Sequence, residues 1–282
     1  MRKKTFIAVA SFICTGFLLA AQEVYQSDKL VKVWETPEGL NTPESACFNP
    51  ADQIIYVSNI ARTTPDKIGF MSKLNADGSI LVKEWVKGLN SPKGIAIVND
   101  KLYVADPGLL WEISLKTGAV LRKYGCAFAM ALNDVASDAN GTVYVTETKK
   151  NMVLTLGKDS LEVFSASDQL ANLNGVFDYG TEILLGSKGK LIAMDKKTKE
   201  IRILAENTGY LDGIVVVGKN KIVTSDWKGL VQLIEIDKPI DKLMDTTPLK
   251  INAADLGYIA SKKLLLVPTF AGNKVIAYKL IF

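Results

Sequence analysis

The residues able to do chemistry recur at a regular pitch. Glu44, Lys93, Asn133, Asn174, Asp212 and Asn252 each open a short β-branched run, at steps of 49, 40, 41, 38 and 40 residues. The chain contains no histidine, which removes Ser-His-Asp triads, Cys-His dyads and histidine-ligated zinc or iron. What remains is carboxylate, amide, hydroxyl, lysine and arginine chemistry, with a hard, oxygen-preferring cation as its natural companion. A second polar set, Asn59, Asp106, Glu147, Ser187, Asp226 and Thr269, closes the next run in each unit.

The unit that must position these residues is clearest at 131–148, ALNDVASDANGTVYVTET. A polar pair precedes one strand-like run, Asp138 to Gly141 makes the turn, and an alternating strand returns to Glu147, which is a hairpin. Matching stretches stand at 42–59, 91–106, 172–187, 210–226 and 251–269. A period of ~40 to 50 residues is that of one four-stranded propeller blade. Helix-pair repeats have similar lengths, but these units are β-branched and aromatic runs broken by Asn, Asp, Gly and Lys. The expected fold is therefore all-β, a six-bladed β-propeller with four-stranded blades.

The two ends of the chain complete one another. The sixth unit has room for only three strands, near 252–258, 263–268 and 274–281, while Leu30 to Trp34 (LVKVW) repeats the outer-strand sequence LVKEWV at 81–86. The N-terminal strand is expected to complete the last blade and close the ring, which removes its exposed edges. In this topology both polar sets lie on one face and converge at the mouth of a central channel.

Outside the propeller, Arg2, Lys3 and Lys4 precede an uncharged apolar run from Phe6 to Ala21. That pattern reads as a signal peptide over residues 1–21, leaving 22–282 as a single exported domain, periplasmic or extracellular, with no membrane association after cleavage. Removing those three charges from the 34 basic residues leaves a chain nearly neutral against 30 acidic ones. No basic patch points to nucleic acid. Cys47 and Cys126 are expected as free thiols. Gln22 to Lys29 reads as a loose leader, and Asp237 to Thr247 as an irregular connection or short helix between the fifth and sixth blades.

The units resemble the SMP-30/gluconolactonase (regucalcin-like) family of six-bladed calcium propellers. The resemblance rests on Glu44 in PESACFNP, Asn133 in Leu132-Asn133-Asp134, Asn174 in Leu173-Asn174-Gly175 and Asp212 in Leu211-Asp212-Gly213, each in the corresponding blade. It implies a divalent metal held by Glu44, Asn174 and Asp212, and more distantly by Asn133. The all-oxygen set suits Ca²⁺, or Mg²⁺ or Mn²⁺ with more retained water. It further implies hydrolysis of a small sugar-like lactone, the metal polarising the carbonyl while Asp212 acts as base for water. Ala131 stands where the resemblance would place a substrate-contacting arginine, so Lys93 and Arg62 are the cations available for substrate recognition. Trp227 and Phe270 offer stacking surfaces for a sugar. Asn252 reads as a strand cap. The loop Ala61 to Lys67, the longest between second and third strands, is placed to lid the pocket. The alternative reading is a non-enzymatic ligand- or glycan-binding propeller with a structural metal; the partner is then a small molecule or glycan.

Overall fold

The computed structural model describes residues 24–62 and 68–282. The signal-peptide reading of 1–21 and most of the Ala61 to Lys67 loop fall outside them. The described chain forms six sheets of antiparallel strands, one per expected unit. Blade 1 holds Pro43–Asn49, Ile54–Asn59, Gly69–Asn75 and Ile80–Leu89, and blade 3 holds Leu132–Ser137, Val143–Glu147, Met152–Leu156 and Leu161–Ala166. Blades 2, 4 and 5 follow the same order, from inner strands Ile95–Val98, Val176–Tyr179 and Leu211–Gly218. The inner strands touch in sequence around the axis, and Gly257–Ile259 of blade 6 returns to Pro43–Asn49 of blade 1.

Ring closure follows the expected clasp. Leu30–Glu35 pairs antiparallel with Val275–Leu280, Leu30 facing Leu280 and Glu35 facing Ile276, and supplies the fourth strand of blade 6. Three local expectations need correction. Tyr25–Gln26, placed in a loose leader, adds a fifth strand to blade 5 by pairing with Asp245 and Met244. Asp241–Asp245, read as part of an irregular insertion, is the fourth strand of blade 5, and only Thr247–Leu249 beyond it forms a single 3-10 turn. The inner strand of blade 6 begins at Gly257 rather than at 252.

There is no single core. Among the described residues the buried apolar side chains divide into six large wedges, each shared by two neighbouring blades, and a small cluster of Ile60, Ala254 and Phe270. Between blades 2 and 3, Tyr103, Leu110 and Tyr124 pack with Val135, Val145 and Leu154, and between blades 6 and 1, Leu264 and Ala277 pack with Ile55 and Val57. Second strands are covered on both faces, so Val143–Glu147 is buried throughout, whereas the outermost Val120–Tyr124 is exposed except at Tyr124. Continuous apolar runs in the second strands follow from that double coverage.

Candidate cation site at the channel mouth

The inner strands are irregular where they begin, and that irregularity aims the polar side chains. Register shifts occur between Pro43 and Ser45, Leu132 and Val135, and Leu211 and Ile214, and they bracket Glu44, Asn133 with Asp134, and Asp212. A bulge leaves a residue unpaired and redirects it. Each backbone N–H so released finds a hydroxyl on the second strand: Ser45 N donates to Ser58 Oγ at 3.0 Å, Asp134 N to Thr146 Oγ1 at 2.9 Å and Gly213 N to Ser225 Oγ at 2.8 Å. The inner strands also bond to one another, through Gly94 N to Asn133 O at 3.1 Å and Asp255 N to Glu44 O at 2.9 Å. Such close approach requires glycine after Lys93 and Asn174: a Cβ on Gly94 would lie 2.5 Å from Asp134 Cα, and one on Gly175 2.4 Å from Asp212 O.

Glu44, Asp134 and Asp212 each bring one carboxylate oxygen within 4.8 Å of the others. Two oxygens on opposite sides of a Ca²⁺ at ~2.4 Å are separated by ~4.8 Å, so three oxygens within that distance of one another could share a single ion. Asn174 Nδ2 donates to Asp212 Oδ1 at 2.6 Å, while Asp212 Oδ2 has no partner among the described residues. Asn133 Nδ2 donates to Thr148 Oγ1 at 3.3 Å. Nine buried side-chain polar atoms lack a partner among the described residues, and six belong to these five residues: Glu44 Oε2, both Asp134 oxygens, Asp212 Oδ2, Asn133 Oδ1 and Asn174 Oδ1. All six are acceptors. Buried polar atoms are nearly always satisfied, and bound protons or a cation would each satisfy such acceptors.

The electrostatics agree. Burial, then repulsion from Asp255, Asp212 and Glu44, holds the Asp134 carboxyl well above the usual carboxylate range. Asp212 is pushed up likewise, by burial and by Glu44. Burial raises Asp255 to about 7, although it accepts a 2.5 Å hydrogen bond from Ser45 Oγ. Glu44 is also raised by burial, against the pull of Lys93, whose ammonium lies 3.1 Å from Glu44 Oε1.

Of the four expected metal ligands, Glu44, Asp212 and Asn174 meet at this place while Asn133 adjoins Asp134 in the chain, and sequence reading missed two acids. Asp134 and Asp255 each follow the residue that heads an inner strand, where three other blades carry Gly94, Gly175 and Gly213. Asn252 is not the sixth member. Ala254 N donates to Pro268 O as Lys93 N does to Ala105 O and Asn174 N to Gly186 O, so Ala254 is the backbone equivalent. Asn252 instead donates its amide to Trp227 O at 2.9 Å.

The second polar set does not reach the axis. Asn59 Oδ1 accepts from Asn41 N, Asp106 from Asn90 and Ser91 N, and Glu147 from Met130, Ala131 and Lys150 N. These side chains sit one strand further out and tie down the loop leading into their own blade. Ser187 does so by donating to Gln169 O and Ala171 O.

Of the residues expected at substrate, Lys93 is turned onto Glu44. Arg62, Phe270 and Trp227 assemble instead as a stack: Arg62 Cζ lies 5.0 Å from the Phe270 ring centre, and Trp227 meets Phe270 edge-on at 5.5 Å. Phe270 is buried and Trp227 is 40% exposed. Arg62 also acts electrostatically on Glu44, so the stack borders the acidic cluster. Cys47 and Cys126 are both free thiols. A cleft of about 740 Å³ bordered by Gln169, Glu182 and Arg202 is lined by none of the expected ligands or substrate residues.

Neither a protein-family model nor a curated protein sequence matches the chain. Among solved structures it is similar to a catalytically inactive virginiamycin B lyase from Staphylococcus aureus with quinupristin, at 9% identity and a TM-score of 0.62, over 92% of this chain and 100% of that one. It is also similar to a chain of a nidogen/laminin complex, at 13% identity and a TM-score of 0.59, over 72% of this chain and 82% of that one. At such identities the likeness establishes the propeller fold.

Proposed function

We propose that this propeller binds a divalent cation, Ca²⁺ by its donor set, at the mouth of its channel and uses it to hydrolyse the ester bond of a small lactone, in the manner of the SMP-30/gluconolactonase family. The observation that carries this reading is the cluster of six buried, unpartnered acceptor oxygens. Glu44, Asp134 and Asp212 supply charge, and Asn174 and Asn133 supply neutral amide oxygens, a hard-oxygen set with no nitrogen or sulfur ligand.

When bound, the cation supplies Lewis-acid polarisation of the ester carbonyl. The side chains do the rest. Asn174 fixes one oxygen of Asp212 and leaves the other to take a proton from water. That water adds to the carbonyl carbon, the C–O ester bond breaks, and Asp212 returns the proton to the departing alkoxide. Burial suits it to this work by raising its proton affinity. Trp227, 40% exposed and braced edge-on by the buried Phe270, offers an apolar ring face to the ring of the substrate.

The lyase seen among the structural neighbours was made catalytically inactive by a histidine-to-alanine substitution. This chain has no histidine, so a reaction resting on that group does not carry over. The Trp227–Phe270–Arg62 stack favours a second reading, a glycan- or ligand-binding propeller in which the cation is structural. In both readings residues 1–21 act as a cleaved export signal.

Calorimetric titration of metal-stripped protein with Ca²⁺, followed by hydrolysis assays on a panel of sugar and aliphatic lactones, separates these readings. Binding with Ca²⁺-dependent turnover is the expected result. Binding without turnover on any lactone moves the assignment to the ligand-binding propeller. Absence of binding removes the cation site.

A further inference from the structure

Among the described residues, Lys93 is the cation in direct contact with the cluster, and its charge opposes the ion the cluster is built to hold. Its ammonium lies 3.1 Å from Glu44 Oε1, while Glu44 Oε2 has no partner among the described residues. It also faces the charges of Asp212 and Asp134. The two ends of the pair differ in access to water: the Glu44 side chain is 2% exposed and that of Lys93 26%. Lysine carries a compact, strongly hydrated charge on a flexible four-carbon stem, unlike the fixed fork of arginine. Lys93 can therefore leave for solvent, and Glu44 cannot.

We infer that Lys93 is a tethered cation that occupies Glu44 in the ion-free protein and yields it when a divalent ion enters, so that this lysine sets the affinity of the site. The inference rests on the cation-site reading above. One positive charge only partly offsets Glu44, Asp134 and Asp212, which lie close enough to share one ion. A divalent ion offsets them better, and at such short range it repels the ammonium strongly. Removing the charge of Lys93 acts in one direction on both states. The ion-free state loses the partner of a buried carboxylate, and the loaded state loses a repulsion.

Two measurements test this on the full chain. Calorimetry compares Ca²⁺ binding by wild type and Lys93→Met, where the dissociation constant is expected to fall at least about tenfold in the variant. Acetylation by an amine-reactive reagent, read at Lys93 by peptide mass spectrometry, uses wild type alone and does not depend on the variant folding. Labelling is expected to rise several-fold on Ca²⁺ saturation. An equal or weaker affinity in Lys93→Met, or labelling that stays level or falls with Ca²⁺, overturns the inference while leaving the cation site standing. Binding by neither protein overturns the site and the inference together.

Discussion

Two rings of polar side chains occupy the same face of this propeller, and they do opposite things with their oxygens. The outer ring, at the exits of the second strands, spends them on structure. Glu147 is fully buried yet accepts three backbone N–H groups, and Asp106 accepts two. The inner ring, one strand closer to the axis, leaves Glu44, Asp134, Asp212, Asn133 and Asn174 with unpartnered oxygens at equal depth. Burial is common to both, so burial does not mark the site. What distinguishes the rings is whether the backbone has donors to offer. The lead-in loops point N–H groups at the outer ring, while bulges direct the freed N–H groups of the inner strands to Ser58, Thr146 and Ser225. The inner carboxylates thus keep only side-chain partners, Lys93 on Glu44 and Asn174 on Asp212, and one oxygen of each is left over for a ligand.

The largest effects should come from exchanging charge for an amide in each ring. Asp212→Asn is expected to weaken Ca²⁺ binding by about 100-fold or more, because a carboxylate is lost from a low-dielectric cluster. The ion-free protein should meanwhile melt at a higher temperature, since a buried and repelled carboxylate has been neutralised. Glu147→Gln should do the reverse. It sets an amide N–H₂ against backbone donors and should cost about 2 to 3 kcal/mol of stability, with Ca²⁺ affinity unchanged. Calorimetry and thermal melts on both variants decide the matter. If Asp212→Asn melts lower, or if Glu147→Gln alters the affinity, the division between the rings is wrong.

A smaller effect, on pH, follows from the raised carboxyls. Asp255 moves from 3.8 to about 7, and Asp134 and Asp212 are raised well above the ordinary range. The folded protein therefore binds protons more readily than the unfolded chain. The stability contributed by the protonated forms is complete below about pH 4 and is lost as pH rises through about 7. Ion-free protein should melt at progressively lower temperature from about pH 5 to about pH 8, and saturating Ca²⁺ should remove most of that slope. A flat or rising profile without Ca²⁺ would mean that these groups are not mutually repelled.

The ring architecture was legible because the blade repeats a strand chemistry at a measurable pitch, and the clasp because LVKVW copies LVKEWV. The outer strand of blade 5 was not. Asp241–Asp245 reads DKLMD, with no β-branched residue, and only its pairing with Leu230–Glu235 makes it a strand. In the site, Glu44, Asn133, Asn174 and Asp212 recur together with Lys93 and Asn252, and it was the resemblance to the SMP-30/gluconolactonase family that set those four apart. Asp134 was hidden by the period of a strand, in which neighbours point to opposite faces. The register shift between Leu132 and Val135 suspends that rule, and no sequence pattern announced the shift. The nearest available signal was the absence of glycine after Asn133, where Lys93, Asn174 and Asp212 are each followed by one.

Asn252 gives the smallest and most discriminating test, because its type and spacing place it in the inner ring while its hydrogen bonding does not. Ala254, two residues on, makes the backbone bond to Pro268 O that defines the position, and Asp255 beside it carries the acid. The Asn252 amide holds the Trp227 carbonyl at a partly exposed site, a bond worth about 0.5 to 1 kcal/mol. Asn252→Ala should therefore leave Ca²⁺ affinity within about twofold of wild type and lower stability by no more than that bond. Asp255→Asn, by contrast, removes one of the charges that raise Asp134 and Asp212, and should raise the melting temperature of the ion-free protein. A tenfold loss of affinity in Asn252→Ala would return Asn252 to the ring, and would mean that recurrence along the chain, rather than the hydrogen-bond register at the axis, decides which side chains the cation meets.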